Sequence, residues 1–85
     1  MTIPLEPTPR GFARGDFTDR DGQACSIQES SLADEDCIWL GCNEGAHHHI
    51  TGDCLARMHL TREQVEALLP LLKTFVETGY LIKGK

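Results

Sequence analysis

Apolar residues recur at helical spacing along the C-terminal third of the chain. Val65, Leu68, Leu69, Leu72, Phe75 and Val76 fall at i, i+3, i+4, i+7, i+10 and i+11. At about 100° per residue they form one stripe. Thr61-Arg62-Glu63-Gln64 has the form of a capping box: the threonine oxygen accepts from the third helical amide, and the glutamine reaches back to the cap. Gly79 offers a left-handed stop. The pattern predicts one amphipathic helix starting at Thr61. Pro70 interrupts it, at a cost of roughly 3 kcal/mol or more in the worst case. Its angular position is opposite the stripe, so it is expected to face water and to bend the helix, or to break it into two.

Upstream the period changes to two. Asp21-Gly22 separates two short strand-like runs, which predicts a β-hairpin over 15–29 with a two-residue turn. In the second strand Cys25 and Ile27 point one way, Ser26 and Gln28 the other. Residues 30–36 form a connection in which Ser31 and Asp34 cap a single helical turn. Cys37-Ile38-Trp39-Leu40-Gly41-Cys42 reads as the strongest strand. A polar loop covers 43–53, and 54–60 reads as a fourth strand by parity. Tyr80-Leu81-Ile82 either folds back onto the sheet or packs loosely.

These elements predict an α+β fold: a small antiparallel sheet of three to four strands, with one C-terminal amphipathic helix packed on one face. One helix covers one face. Parity assigns Cys25, Ile27, Ile38, Leu40, Ala56, Met58 and Leu60 to the covered side. It leaves Trp39, Leu55, Arg57 and His59 on the open side, with Ser26 and Gln28. An exposed tryptophan beside an arginine has the composition of a protein-contact hot spot; the bland alternative is that the N-terminal arm or Tyr80 covers Trp39. The arm is residues 1–11, which hold Pro4, Pro7 and Pro9 and read as extended chain with nothing to bury. Residues 12–82 form the single domain, and 83–85 a frayed tail.

Composition narrows the function classes. The chain has 85 residues and a formal net charge of -5. The length allows one domain with a marginal core. The acidic balance argues against direct nucleic-acid binding and against an anionic membrane surface. No apolar run approaches the ~20 residues of a membrane span. Met1-Thr2-Ile3-Pro4-Leu5 lacks the basic start and apolar run of a secretion signal. The expected compartment is therefore the cytoplasm, where the four cysteines (Cys25, Cys37, Cys42 and Cys54) are expected to be reduced.

The densest set of ligand atoms is Cys42-x4-His47-x-His49-x4-Cys54. Two thiolates and two imidazoles make a tetrahedral zinc set, and a bound metal would help a small core to hold together. The set has no Cys-x2-Cys knuckle. Buried apolar cysteines and a solvated histidine loop explain the same residues without a metal, and more simply. Asp19-Arg20-Asp21-Gly22 resembles the opening of a calcium loop. Its register fails, because the first and twelfth positions would be Phe17 and Gln28. Cys54 and His59 are a conceivable nucleophile and base, but a separation of five places them on opposite faces of a strand. With no nucleophile elbow or phosphate-cradling loop, the sequence reads as a non-enzyme.

Three stretches, 25–31 (CSIQESS), 38–41 (IWLG) and 57–62 (RMHLTR), together with Leu68-Leu69-Pro70 and Phe75-Val76-Glu77-Thr78-Gly79, resemble a group of small proteins encoded by tailed phages and by prophages. The resemblance covers about residues 12–79. It implies a setting, a mobile-element gene expressed in a bacterial cell, and it carries over no functional residues. In that setting the leading expectation is an accessory module that binds a host or phage protein, with inhibition of a host defence system as one form. A homodimer is a further option. The alternatives are a zinc-stabilised structural domain built on Cys42, His47, His49 and Cys54, and a sponge for a small charged ligand held by Arg57 and the histidines.

Overall fold

The computed structural model describes residues 2–43 and 57–82 and, between them, the backbone of Ala46–His47 and Cys54–Leu55. The fold is α+β, with four antiparallel strands and one C-terminal helix. The strands are β1 (Glu6–Pro7), β2 (Ala13–Thr18), β3 (Ala24–Glu29) and β4 (Ile38–Cys42), hydrogen-bonded in the order β1-β2-β3-β4. A separate pair, β5 (Ala46–His47) and β6 (Cys54–Leu55), is also antiparallel. The helix, α1, spans Arg62–Thr78. Among the described residues no helix is long and apolar enough to cross a membrane.

The β2–β3 hairpin forms as its alternation requires. Gly15 pairs with Ile27 and Phe17 with Cys25, and all four are buried on one face. The turn is longer than the two-residue form expected. Asp19 N–H bonds the Gln23 carbonyl and Gly22 N–H the Asp19 carbonyl, which leaves a three-residue loop. Only Gly22 has positive φ there, at 84°. A primed two-residue turn needs positive φ at its first central residue, which Asp21 does not supply; an ordinary turn followed by a left-handed glycine does not need it.

Residues 2–11 are not a free arm. Ile3 is 7% exposed and belongs to the core, and Glu6 and Pro7 pair with Arg14 and Ala13. Two features make this work. Proline is tolerated because β1 lies on the sheet edge. Gly15 leaves a hollow on the core face into which Ile3 and Leu5 pack: a Cβ at Gly15 would come within 2.7 Å of Ile3 Cγ2 and 3.1 Å of Leu5 Cδ2. Thr8 closes the bend into β2, its carbonyl accepting from Gly11 N–H and its hydroxyl from Phe12 N–H.

The fourth strand of the main sheet is therefore β1 and not 54–60. Cys54 and Leu55 pair with His47 and Ala46 instead, and Arg57–Leu60 hold no strand. The expected helical turn at Ser31–Asp34 is also absent. The tail 83–85 lies outside the described residues.

The helix is capped as its sequence dictates. Thr61 Oγ1 accepts from Gln64 N–H, and Gln64 Oε1 accepts from Thr61 N–H. Gly79 ends the helix at φ 80° with its N–H on the Phe75 carbonyl. The helix runs unbroken through Pro70, which is exposed as expected, so water can satisfy the carbonyl that lost its donor.

The packed stripe is rotated from the one expected. Leu68 is 3% exposed, with Ala67, Leu71, Leu72 and Phe75 packed against the core. Val65, Leu69 and Val76 lie on the flank, at 45%, 56% and 83% exposure. The core is closed by Leu81, which is 2% exposed and joins the same cluster as Leu68. Glu29 holds it there: this carboxylate is 5% exposed, and it accepts from Ala13 N–H through Oε1 and from Leu81 N–H through Oε2, both at 2.9 Å.

Candidate functional site

The face of the sheet away from the helix is ordered by register into three rows. Arg14, Gln28 and Trp39 form the first; Asp16, Ser26 and Gly41 the second. Thr18, Ala24 and Asn43 form the third, through the Asn43 N–H bond to the Ala24 carbonyl. Arg14 Nη1 donates to Gln28 Oε1 at 3.1 Å, and Arg14 Nε and Nη2 both reach Asp16 Oδ1. Ser26 Oγ donates to Asn43 Oδ1 at 2.6 Å. The guanidinium is thus held in place by neighbours of the same face.

Trp39 is the exception in this network. It is 69% exposed. Its neighbour two residues on is Gly41, where a Cβ would meet nothing within 4 Å. The indole therefore stands beside an empty position instead of a packing partner. A groove of about 330 Å³ runs along it, lined by Arg14, Ser26, Gln28, Gly41 and Asn43. Among the described residues β3 is the only partner of β4, so Trp39 sits on the edge strand.

Arg57 and His59 are not beside it. They dock on the β2–β3 turn. Arg20 N–H bonds the His59 carbonyl, His59 N–H bonds Asp19 Oδ2 at 3.0 Å, and Gln23 Nε2 bonds the Arg57 carbonyl at 3.2 Å. His59 Nδ1 lies 3.1 Å from Asp21 Oδ2. Trp39 pairs with Gln28, five residues along β3 from Gln23, or about 17 Å at strand spacing. The expected contact set therefore separates: Trp39 lies on the open face, and Arg57 and His59 at the turn end. Leu55 contributes backbone to β6, and its side chain lies outside the description.

Asp19 organises that turn. Its Oδ1 accepts from Asp21 N–H and Gln23 N–H, and its Oδ2 from Gln23 Nε2 and His59 N–H. Burial pushes its carboxyl up, but the hydrogen bonds from His59, Gln23 and Asp21 outweigh that and hold it below its ordinary value of 3.8.

The proposed zinc ligands are only partly placed. Cys42 lies on the core face of β4, His47 stands opposite Cys54 across β5–β6, and His49 lies outside the described residues. The grouping that the structure does bring together is different: Asp19, Cys25 and Cys42 have ligand atoms within 4.8 Å of one another. Cys25 and Cys42 are direct cross-strand partners, with their sulfurs 3.8 Å apart. Burial, the contact with Cys42 and the charge of Asp19 push the Cys25 thiol up to about 11. A metal at this point fits poorly. A carboxylate has about four lone-pair sites, and Asp19 already accepts four hydrogen bonds with them. Cys25 and Cys42 were not legible as neighbours because their meeting depends on the β3–β4 register, which no local pattern supplies, whereas Asp19 reaches them through the β2–β3 turn.

Comparison with protein-family models, curated proteins and solved structures finds no match to the chain.

Proposed function

We propose that the chain is a non-enzymatic protein-binding module whose contact surface is the open sheet face around Trp39. The observation that carries this reading is the indole itself. It is mostly exposed on a regular strand, with a hollow at Gly41 beside it and an arginine held in place two strands away in the same row and groove. Burying a large aromatic in one groove with a preorganised guanidinium is how a few residues supply most of an interface's energy, and little ordering cost is left for such a surface to meet on binding. Among the described residues the outer edge of β4 has no strand partner, which adds a route for an incoming strand to extend the sheet.

The resemblance to small phage and prophage proteins supports a host or phage protein as the partner, and inhibition of a host defence system as the outcome. Trp39 is the only tryptophan, so its emission reports on the surface directly. Proteins captured from a bacterial host by the full chain are to be tested one by one against purified parent and Trp39→Ala. Blue-shifted emission in the parent complex, and at least tenfold weaker binding by a Trp39→Ala variant that melts as the parent does, are expected. Equal binding by both would overturn the assignment of this face.

A second reading, a zinc-stabilised β5–β6 loop, draws support from the register that sets His47 opposite Cys54. Native mass spectrometry of untagged protein prepared without chelator separates the two. A stoichiometric metal favours the second reading; a bare chain leaves the first.

A further inference from the structure

We infer that Cys25 and Cys42 form a dithiol site, oxidised to a cross-strand disulfide by a small disulfide or by a protein bearing an accessible one. The site rests on position, and no part of the Trp39 face enters it.

The register puts the two residues directly opposite each other on β3 and β4. The Asn43 N–H to Ala24 carbonyl bond makes Ala24 and Asn43 a hydrogen-bonded pair. By the alternation of antiparallel ladders the next pair, Cys25 and Cys42, is a non-hydrogen-bonded one. Residues in such pairs have Cα atoms about 4.5 Å apart, inside the span of roughly 4.4–6.8 Å that a disulfide bridges. Both side chains project to the core face, and the sulfurs already touch at 3.8 Å. Side-chain rotation without backbone movement is enough to bring them to bonding distance, about 2.05 Å.

Exposure gives the two sulfurs different roles. Cys25 is fully buried, whereas Cys42 is only partly buried. The Cys42 thiolate attacks one sulfur of the incoming disulfide. A Cys42–S–S–R bond forms, the R–S–S–R bond breaks, and one thiolate leaves. Cys25, in contact behind it, then attacks the Cys42 sulfur. The Cys25–Cys42 bond forms and the second thiolate departs. The two protons lost by the cysteines end on the two released thiols. The dithiol is oxidised by two electrons and the incoming disulfide is reduced by two, the usual balance of thiol–disulfide exchange. Cys37 offers no such partner among the described residues, and burial, with the acids Glu35, Asp36 and Asp34 beside it, pushes its thiol up.

The test treats the folded full chain with glutathione disulfide, blocks remaining thiols with iodoacetamide and maps the peptides by mass spectrometry. Cleavage after Glu29, after Trp39 or Leu40, and after Glu44 puts the four cysteines on separate peptides. The expected product is a single linked pair, Cys25 with Cys42, lighter by two hydrogen atoms, with Cys37 alkylated and the link reversed by dithiothreitol. Recovery of both cysteines alkylated, a stable glutathione adduct on Cys42, or a link from Cys42 to a different cysteine overturns the proposal. In Cys25→Ser the adduct is expected to stay on Cys42, and in Cys42→Ser no adduct should form on Cys25. An adduct on Cys25 there would overturn the assigned order of attack.

Discussion

Glu29 is the residue on which the closure of the fold can be measured. Its two carboxylate oxygens each take a backbone N–H, one from Ala13 at the start of β2 and one from Leu81 beyond the helix. Glu29→Gln has nearly the same shape but only one acceptor oxygen. Whichever way the amide turns, its NH2 group faces one of those two donors and leaves it unpaired. An unsatisfied buried donor costs about 1–3 kcal/mol. Glu29→Ala strands both donors and opens a hole, so about 3–6 kcal/mol is expected by the same reckoning. An 85-residue domain has roughly 4–13 kcal/mol in total at the usual 0.05–0.15 per residue, and the alanine variant should be near the limit of folding. Urea unfolding followed by circular dichroism is the assay. With a slope near 1 kcal/mol/M for so small a chain, Glu29→Gln should lower the midpoint by about 1–3 M at unchanged slope. The neighbouring Gln28→Ala, on the open face, should move it by less than about 0.5 M, because exposed polar contacts contribute little. A Glu29→Gln midpoint within about 0.5 M of the parent would refute the idea that the two N–H bonds depend on a double acceptor.

Other consequences follow from the same geometry. Asp19 titrates below its ordinary value when folded, so its stabilisation is complete above about pH 4, near the unfolded carboxyl's pKa, and is lost as pH falls through the folded one. Asp19→Asn should be less stable than the parent at pH 7, and the gap should narrow below about pH 4 in acid melts; a constant gap would contradict the sign. Leu68→Ala should cost about 2–4 kcal/mol, and Leu69→Ala less than about 0.5. Equal costs in urea melts would restore the stripe expected from sequence. Gly15→Ala should destabilise by about 1–3 kcal/mol through its clash with Ile3, and deleting residues 1–5 from that variant should cost less than the same deletion in the parent.

The parts of this fold that were legible are those written in a local code. The capping box at Thr61 and Gln64, the glycine stop at Gly79 and the alternation Cys25–Gln28 all specify hydrogen bonds or faces within a few residues. The parts that were not legible depend on distant partners. Ile3 and Leu5 carry no periodicity, and only the hollow at Gly15 gives them a place. Residues 54–60 alternate well enough for a strand, yet the backbone groups of Arg57 and His59 find better partners in Asp19, Arg20 and Gln23. The helix was located correctly, but Val65, Leu69 and Val76 adjoin the true stripe so closely that their sum pointed to the flank. At the candidate site the exposure of Trp39 followed from parity. The separation of Arg57 and His59 from it, and the meeting of Cys25 with Cys42, awaited the register.

The bond from Glu29 to Leu81 spans 52 positions, and this has a bearing on biosynthesis. During translation the β2–β3–β4 meander emerges early and can pair from local contacts. Apart from the part that Ile3 and Leu5 cover, its core face stays open until the helix and Leu81 have left the ribosome. Contacts of such long separation form late, and an open apolar sheet with an unpaired edge is the kind of species that aggregates. A nascent chain stalled after β4 should therefore be a strong client for holding chaperones, and emergence of residues 62–81 should end that dependence in one step.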